Sequence, residues 1–128
     1  MRLLLASLLS ALALLGGCAQ TPPPAPGLID VTERPAERAL LNGIRAYEDG
    51  QYAESEKQFN TALQGNLGSA KDRAAAHKYL AFIYCTSNRT SECEAAFRAA
   101  RQADPAFALS RSELGHPLWG PVYKRLNP

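Results

Sequence analysis

The chain has 128 residues, about one domain's worth, of which 46% are apolar, 20% charged and 8% aromatic. Lys and Arg number 14 against 12 Asp and Glu, a formal charge of +2, which argues against a broad basic face for a phosphate backbone and so against a nucleic-acid partner. Two histidines, three cysteines and no Gly-rich phosphate loop leave little material for a metal site, an activated nucleophile or a nucleotide cradle, so we expect no enzyme, no cofactor and no small-molecule substrate.

Residues 1–17 read as an export address and not as part of the fold. Arg2 supplies a short basic start, and Leu3 to Leu15 is apolar at every position except Ser7 and Ser10. At ~1.5 Å per residue, such a run is too short for the ~30 Å hydrocarbon core of a bilayer. It ends in Leu15-Gly16-Gly17-Cys18, which resembles the bacterial lipobox, whose cysteine is lipid-modified and becomes the mature N-terminus. The resemblance implies acyl chains on Cys18, and Ala19 in place of an aspartate implies sorting to the periplasmic face of the outer membrane. An ordinary signal peptide, with Cys18 left as a free thiol, is the alternative. Gln20 to Gly27 holds four prolines, which favour extended geometry at ~3.1 Å per residue and make residues 18–29 a semi-rigid tether.

The folded domain is expected over residues 30–128. Leu40, Leu41, Ile44 and Tyr47 follow helix spacing, Pro35 suits a first turn and Asp49-Gly50 ends the run, predicting a helix over about 34–48. Tyr52, Ser55, Phe59, Ala62 and Leu63 keep the period up to Gly65, predicting an antiparallel second helix over about 53–64. Ser69 with Asp72, and Ser91 with Glu94, carry the spacing of capping boxes, and predict helices over about 70–85 and 91–103. Phe107, Leu109 and Leu114 are expected on a further helix from Pro105 to Gly115. Beyond it, Leu118, Trp119, Val122, Tyr123 and Leu126 form an apolar cluster in which Trp119 should be mainly buried.

A shift of 38 residues superimposes Ala36 on Ala74, Gly43 on Ala81, Phe59 on Phe97 and Ala62 on Ala100. This pattern resembles the tetratricopeptide pair, whose period is ~34, with four extra residues placed in the Gly65 to Ser69 connection. Leu80-Ala81, Tyr84, Cys93, Phe97, Ala100 and Pro105 carry the match in the second unit, whereas the first lacks the terminal proline. The expected fold is therefore all-α: two tetratricopeptide-like helix-turn-helix repeats plus a C-terminal capping helix. In such repeats small residues permit close helix approach and the phenylalanines fill the space behind them.

Once Cys18 is set aside, Cys85 and Cys93 form an even pair in an exported chain, with seven residues between them across a tight turn. A disulfide there is plausible, two buried thiols are the alternative, and neither the spacing nor the ligand count suggests a redox or zinc site. His77 and His116 read as packing and turn residues, since nothing in their spacing nominates a nucleophile or orienting acid. Stacked repeats would place Leu40, Ile44, Tyr47 and Glu48 beside Lys78 and Phe82 on a concave face suited to a peptide segment of a partner. Alternatively, residues 28–33 or the C-terminal cap fold across this face and bury it.

Four segments resemble the TssQ family of lipoproteins associated with type VI secretion systems. They are Glu33-Arg34-Pro35-Ala36-Glu37-Arg38-Ala39-Leu40, Gly50-Gln51-Tyr52, Ala76-His77-Lys78-Tyr79-Leu80-Ala81-Phe82-Ile83-Tyr84-Cys85-Thr86-Ser87 and Gly115-His116-Pro117-Leu118-Trp119-Gly120-Pro121-Val122-Tyr123. The likeness implies a non-enzymatic accessory lipoprotein, anchored in the outer membrane through Cys18 and binding a periplasmic protein of a secretion complex. A pilotin or assembly lipoprotein of another envelope machine, such as a pilus secretin, is the alternative. A redox protein using Cys85 and Cys93 is a third reading, and it requires thiol reactivity in the native state.

Overall fold

The computed structural model describes residues 34–127, and every regular element among them is helical. The expected signal peptide (1–17), Cys18 and the expected proline-rich tether (18–29) lie outside the described residues. In chain order the helices are α1 (Pro35–Glu48), α2 (Tyr52–Gln64), α3 (Ala70–Thr86), α4 (Thr90–Ala103), α5 (Arg111–Leu114) and α6 (Trp119–Leu126). Among the described residues the chain is all-α as expected: α1 with α2 and α3 with α4 form two helical hairpins, and α6 packs on α3 and α4.

Local chemistry sets the boundaries of the hairpins. Pro35 opens α1, where its missing N–H costs no intrahelical bond. At the other end Gly50 adopts φ +73°, which lets its N–H reach the Tyr47 carbonyl (3.0 Å) and the Gln51 N–H reach that of Ala46 (2.8 Å). Asn88, with φ +60°, occupies the equivalent position after α3 and brings the Arg89 N–H to the Tyr84 carbonyl at 2.8 Å. Asparagine tolerates this left-handed conformation better than other residues with a side chain. Ser69 caps α3 by accepting the Asp72 N–H at 3.3 Å.

The expected capping box at Ser91 does not form. Arg89 is the residue before α4, so the helix begins at Thr90 and Ser91 falls inside its first turn. The Arg89 side chain holds the entry instead: its guanidinium meets both Glu56 carboxylate oxygens at 2.9 Å and Glu92 at 3.3 Å, and lies 4.2 Å from the Tyr84 ring. Glu94 is drawn away to Arg98 (3.2 Å) and Arg125 (2.6 Å).

Positions related by the 38-residue shift occupy matching places in the core. Phe59 and Phe97 are fully enclosed, as are Ala62 and Ala100. A Cβ on Gly43 would lie 2.8 Å from the Phe59 ring, so glycine is what lets α1 approach α2 this closely. Ser55, buried in the first turn of α2, donates its hydroxyl to the Gly43 carbonyl at 2.8 Å. Its counterpart Cys93 is equally buried and bonded to Cys85 as a disulfide, with a Cα separation of 5.1 Å. The same small-residue position is thus satisfied by a hydrogen bond in one hairpin and by a covalent link in the other.

The C-terminal segment departs from the expected single helix from Pro105 to Gly115. Asp104 accepts the Ala106 N–H on its side chain (3.0 Å) and the Phe107 N–H on its carbonyl (2.9 Å), closing a turn around Pro105. The chain then continues without helix through Phe107 and Leu109, which pack inward; Leu109 is 6% exposed, and Phe107 meets Tyr123 edge-on at 6.2 Å. Helix restarts at Ser110, where a complete capping box joins its hydroxyl to the Glu113 N–H and the Glu113 carboxylate to the Ser110 N–H. A sharp bend then follows, in which a Cβ on Gly120 would collide with the Leu114 carbonyl oxygen.

Candidate functional site

The six residues expected to line a binding groove divide into three groups. Leu40 and Phe82 are core residues, 6% and 4% exposed, whose side chains pack inside the domain. Lys78 is engaged within the chain: its ammonium lies 2.7 Å from Glu113 Oε1 and 5.0 Å from the Tyr79 ring centroid. Ile44 and Tyr47 are half-buried and Glu48 is exposed.

The C-terminal cap is the reason for Phe82 and Lys78, so the alternative in which it lies across the groove describes the Phe82 end of that face. Trp119 stacks on Phe82 with centroids 4.1 Å apart, and His116 stacks on the other face of the indole at 3.2 Å. The indole N–H donates to the Glu113 carbonyl at 2.9 Å. Glu113 therefore serves the cap three times, through its carbonyl, through its ion pair with Lys78 and through the Ser110 capping box. Burial alone would raise its carboxyl pKa, but the Lys78 ammonium and the Ser110 N–H outweigh it and hold the group below the usual carboxylate range.

An aromatic chain runs from this cap to the turn between α1 and α2. Tyr47 meets Phe82 at 6.5 Å, Tyr79 edge-on at 5.0 Å and Tyr52 edge-on at 5.5 Å, while Tyr79 stacks on Phe59 at 5.2 Å. Desolvation, aided by Tyr52, Tyr79 and Glu113, pushes the Tyr47 phenol up to about 12, so it stays protonated and is a donor at neutral pH. Tyr52 closes the series 50% exposed, and Glu48 and Asp49, a few residues before it in the chain, are exposed too. Tyr52, Tyr79, Glu113 and His116 were not among the expected site residues. Tyr52 lies on the second helix of its hairpin, and Glu113 and His116 reach the face through contacts between residues far apart in the chain, which helix periodicity does not encode.

On the opposite side, His77 lines a hollow of about 290 Å³ with Leu63, Leu80, Tyr84 and Ala96, and burial lowers its pKa. Among the described residues no three His, Cys, Asp or Glu side chains are placed to hold a metal ion. No helix among them is long and apolar enough to cross a membrane. Comparison with family models, with curated proteins and with solved structures gives no match to this chain.

Proposed function

We propose that this protein is an outer-membrane lipoprotein, anchored through Cys18, that acts as a protein–protein adaptor and an accessory component of a type VI secretion system. Support comes from the lipobox-like Leu15-Gly16-Gly17-Cys18, the proline-rich tether behind it and the segments resembling the TssQ lipoproteins. The observation that carries the adaptor reading is the aromatic edge at the turn between α1 and α2. There Tyr52 is 50% exposed yet braced edge-on by Tyr47, and the residue that follows Tyr47 on α1, Glu48, is exposed. A pre-ordered, exposed aromatic offers contact area at little entropic cost, as interface anchors do.

The test is crosslinking in the native cell followed by affinity capture and mass spectrometry, on wild type, Cys18→Ser and Tyr52→Ala with Glu48→Ala. The expected result is capture of type VI secretion envelope proteins that is lost in both variants. Phe82→Ala is unsuitable as a contact probe, because it opens a cavity beneath Trp119. Recovery of a pilus secretin or another envelope complex instead would overturn the secretion-system assignment and favour the pilotin reading.

A further inference from the structure

Helix α1 turns Ala39, Gly43 and Ala46 into the core and leaves Leu41, on the opposite side, 39% exposed. Leu41 is one of three large hydrophobic residues so placed among those described. Charge surrounds it in a definite order. At about 100° per residue, Arg34, Glu37, Arg45 and Glu48 all fall within ~40° of Leu41 around the helix axis. Glu37 and Arg45 lie four positions before and after Leu41, and Arg34 and Glu48 lie seven positions before and after it. Each basic residue thus has an acidic counterpart at the same distance on the other side of the leucine. Arg34, Arg45 and Glu48 are exposed and Glu37 is half-buried. Among the described residues Arg45 and Glu48 form no ion pair, and Glu37 has a single loose one, to Arg34 at 3.9 Å.

We propose that this side of α1 is an isologous dimer interface, on which a second copy of the chain lays its own α1 antiparallel across Leu41. A two-fold axis through Leu41 brings Glu37 of each copy to Arg45 of the other, and Arg34 of each copy to Glu48 of the other. On the same face Arg38 falls opposite Ile44, so no like charges meet. A parallel, in-register pairing would set every charge against its own kind, so the pattern selects the antiparallel arrangement. A charge series that reverses sign about one leucine is its own complement, which is what a two-fold interface requires of a surface.

Shape agrees with charge. Leu41 meets its own copy at the centre, and a hollow of about 340 Å³ next to it, lined by Leu40, Leu41, Ser69 and Asp72, has room for the incoming side chain. The C-terminal helix α6 packs on α3 and α4 and not on α1, so the cap leaves this side of the domain open. One helix per copy makes a small contact, so charge sets its specificity and added salt weakens it. The pairing depends neither on acylation nor on the adaptor's partner.

The experiment uses the full chain in detergent. Leu41→Cys is oxidised with copper phenanthroline and read on a non-reducing gel against Gln102→Cys, an exposed position on α4, and against wild type, which accounts for any link through Cys18. Leu41→Cys is expected to form a covalent dimer several-fold above both. Sedimentation equilibrium then compares wild type with Glu37→Lys, Arg45→Glu and the double variant. Each single change should raise the Kd of dimerisation about tenfold, because it acts twice across the axis, and the double variant should return it close to the wild-type value, because opposite charges face each other again. Arg45 is exposed and unpaired in the described domain, so Arg45→Glu retains the fold, which far-UV circular dichroism checks for every variant. A wild type that stays monomeric at every concentration, a Leu41→Cys variant that links no better than Gln102→Cys, or a double variant no better than the single ones overturns the proposal.

Discussion

Trp119→Ala should be among the most damaging single changes outside the two hairpins, and its cost can be worked from three contacts. The indole loses its stack on Phe82 (4.1 Å), its stack on His116 (3.2 Å) and its hydrogen bond to the Glu113 carbonyl (2.9 Å). Core truncations of tryptophan cost about 3–5 kcal/mol, and a ring that is 9% exposed at the edge of the core belongs at the lower end, near ~3 kcal/mol. Trp119→Phe keeps a ring over Phe82 but loses the hydrogen bond and part of the buried area, for about 1–2 kcal/mol. In a domain of this size each kcal/mol moves Tm by about 4–8 °C, so the two variants should separate clearly. Urea denaturation followed by far-UV circular dichroism gives the free energies. Since Trp119 is the sole tryptophan, wild-type fluorescence reports the cap alone. A loss below ~1 kcal/mol in Trp119→Ala, or native emission at the wavelength of a hydrated indole, would refute the packing of the cap on α3.

Gly43→Ala places a methyl against the enclosed Phe59 ring and should cost about 1–3 kcal/mol by urea denaturation, with Gly120→Ala at least as costly because its obstacle is the Leu114 backbone. Cys85→Ala with Cys93→Ala releases a short loop and should remove about 2.5 kcal/mol by the chain-entropy estimate, whereas thiol labelling of the native protein should find Cys85 and Cys93 unreactive. His77 has its pKa lowered by burial, so the unfolded chain binds the proton more readily; stability is full above the unfolded value of about 6.5 and declines as pH falls through the folded one. His77→Gln should flatten that decline in a pH series of melts. Glu113, depressed by Lys78 and Ser110, adds a second loss below the ordinary carboxylate range, which Glu113→Gln should remove.

The sequence by itself determined the elements whose causes are local. Helix period, Pro35, Asp49-Gly50 and Ser69 marked α1 to α3 nearly to the residue, because each boundary is set by groups within one turn of it. The 38-residue shift exposed Phe59, Phe97 and the small residues between them, since two stacked hairpins repeat the same packing demands. Cysteine parity pointed to the Cys85–Cys93 link for a similar reason, the two residues being near in the chain and joined by a turn.

Only the tertiary structure decided what meets the face of α1 and α3. Lys78 and Glu113 lie 35 positions apart, and no periodicity encodes that their charges pair. Phe82 carries the pattern of a groove residue and of a core residue equally well, and the Trp119 ring resting on it decides between them. At Asp104-Pro105 the local signal was ambiguous in the same way: it suits a helix start and a turn alike. Burial of Leu109 and the stronger cap at Ser110 select the turn. Contacts formed within a turn of the chain can be read along it, whereas those that close a groove depend on where the fold brings its ends together.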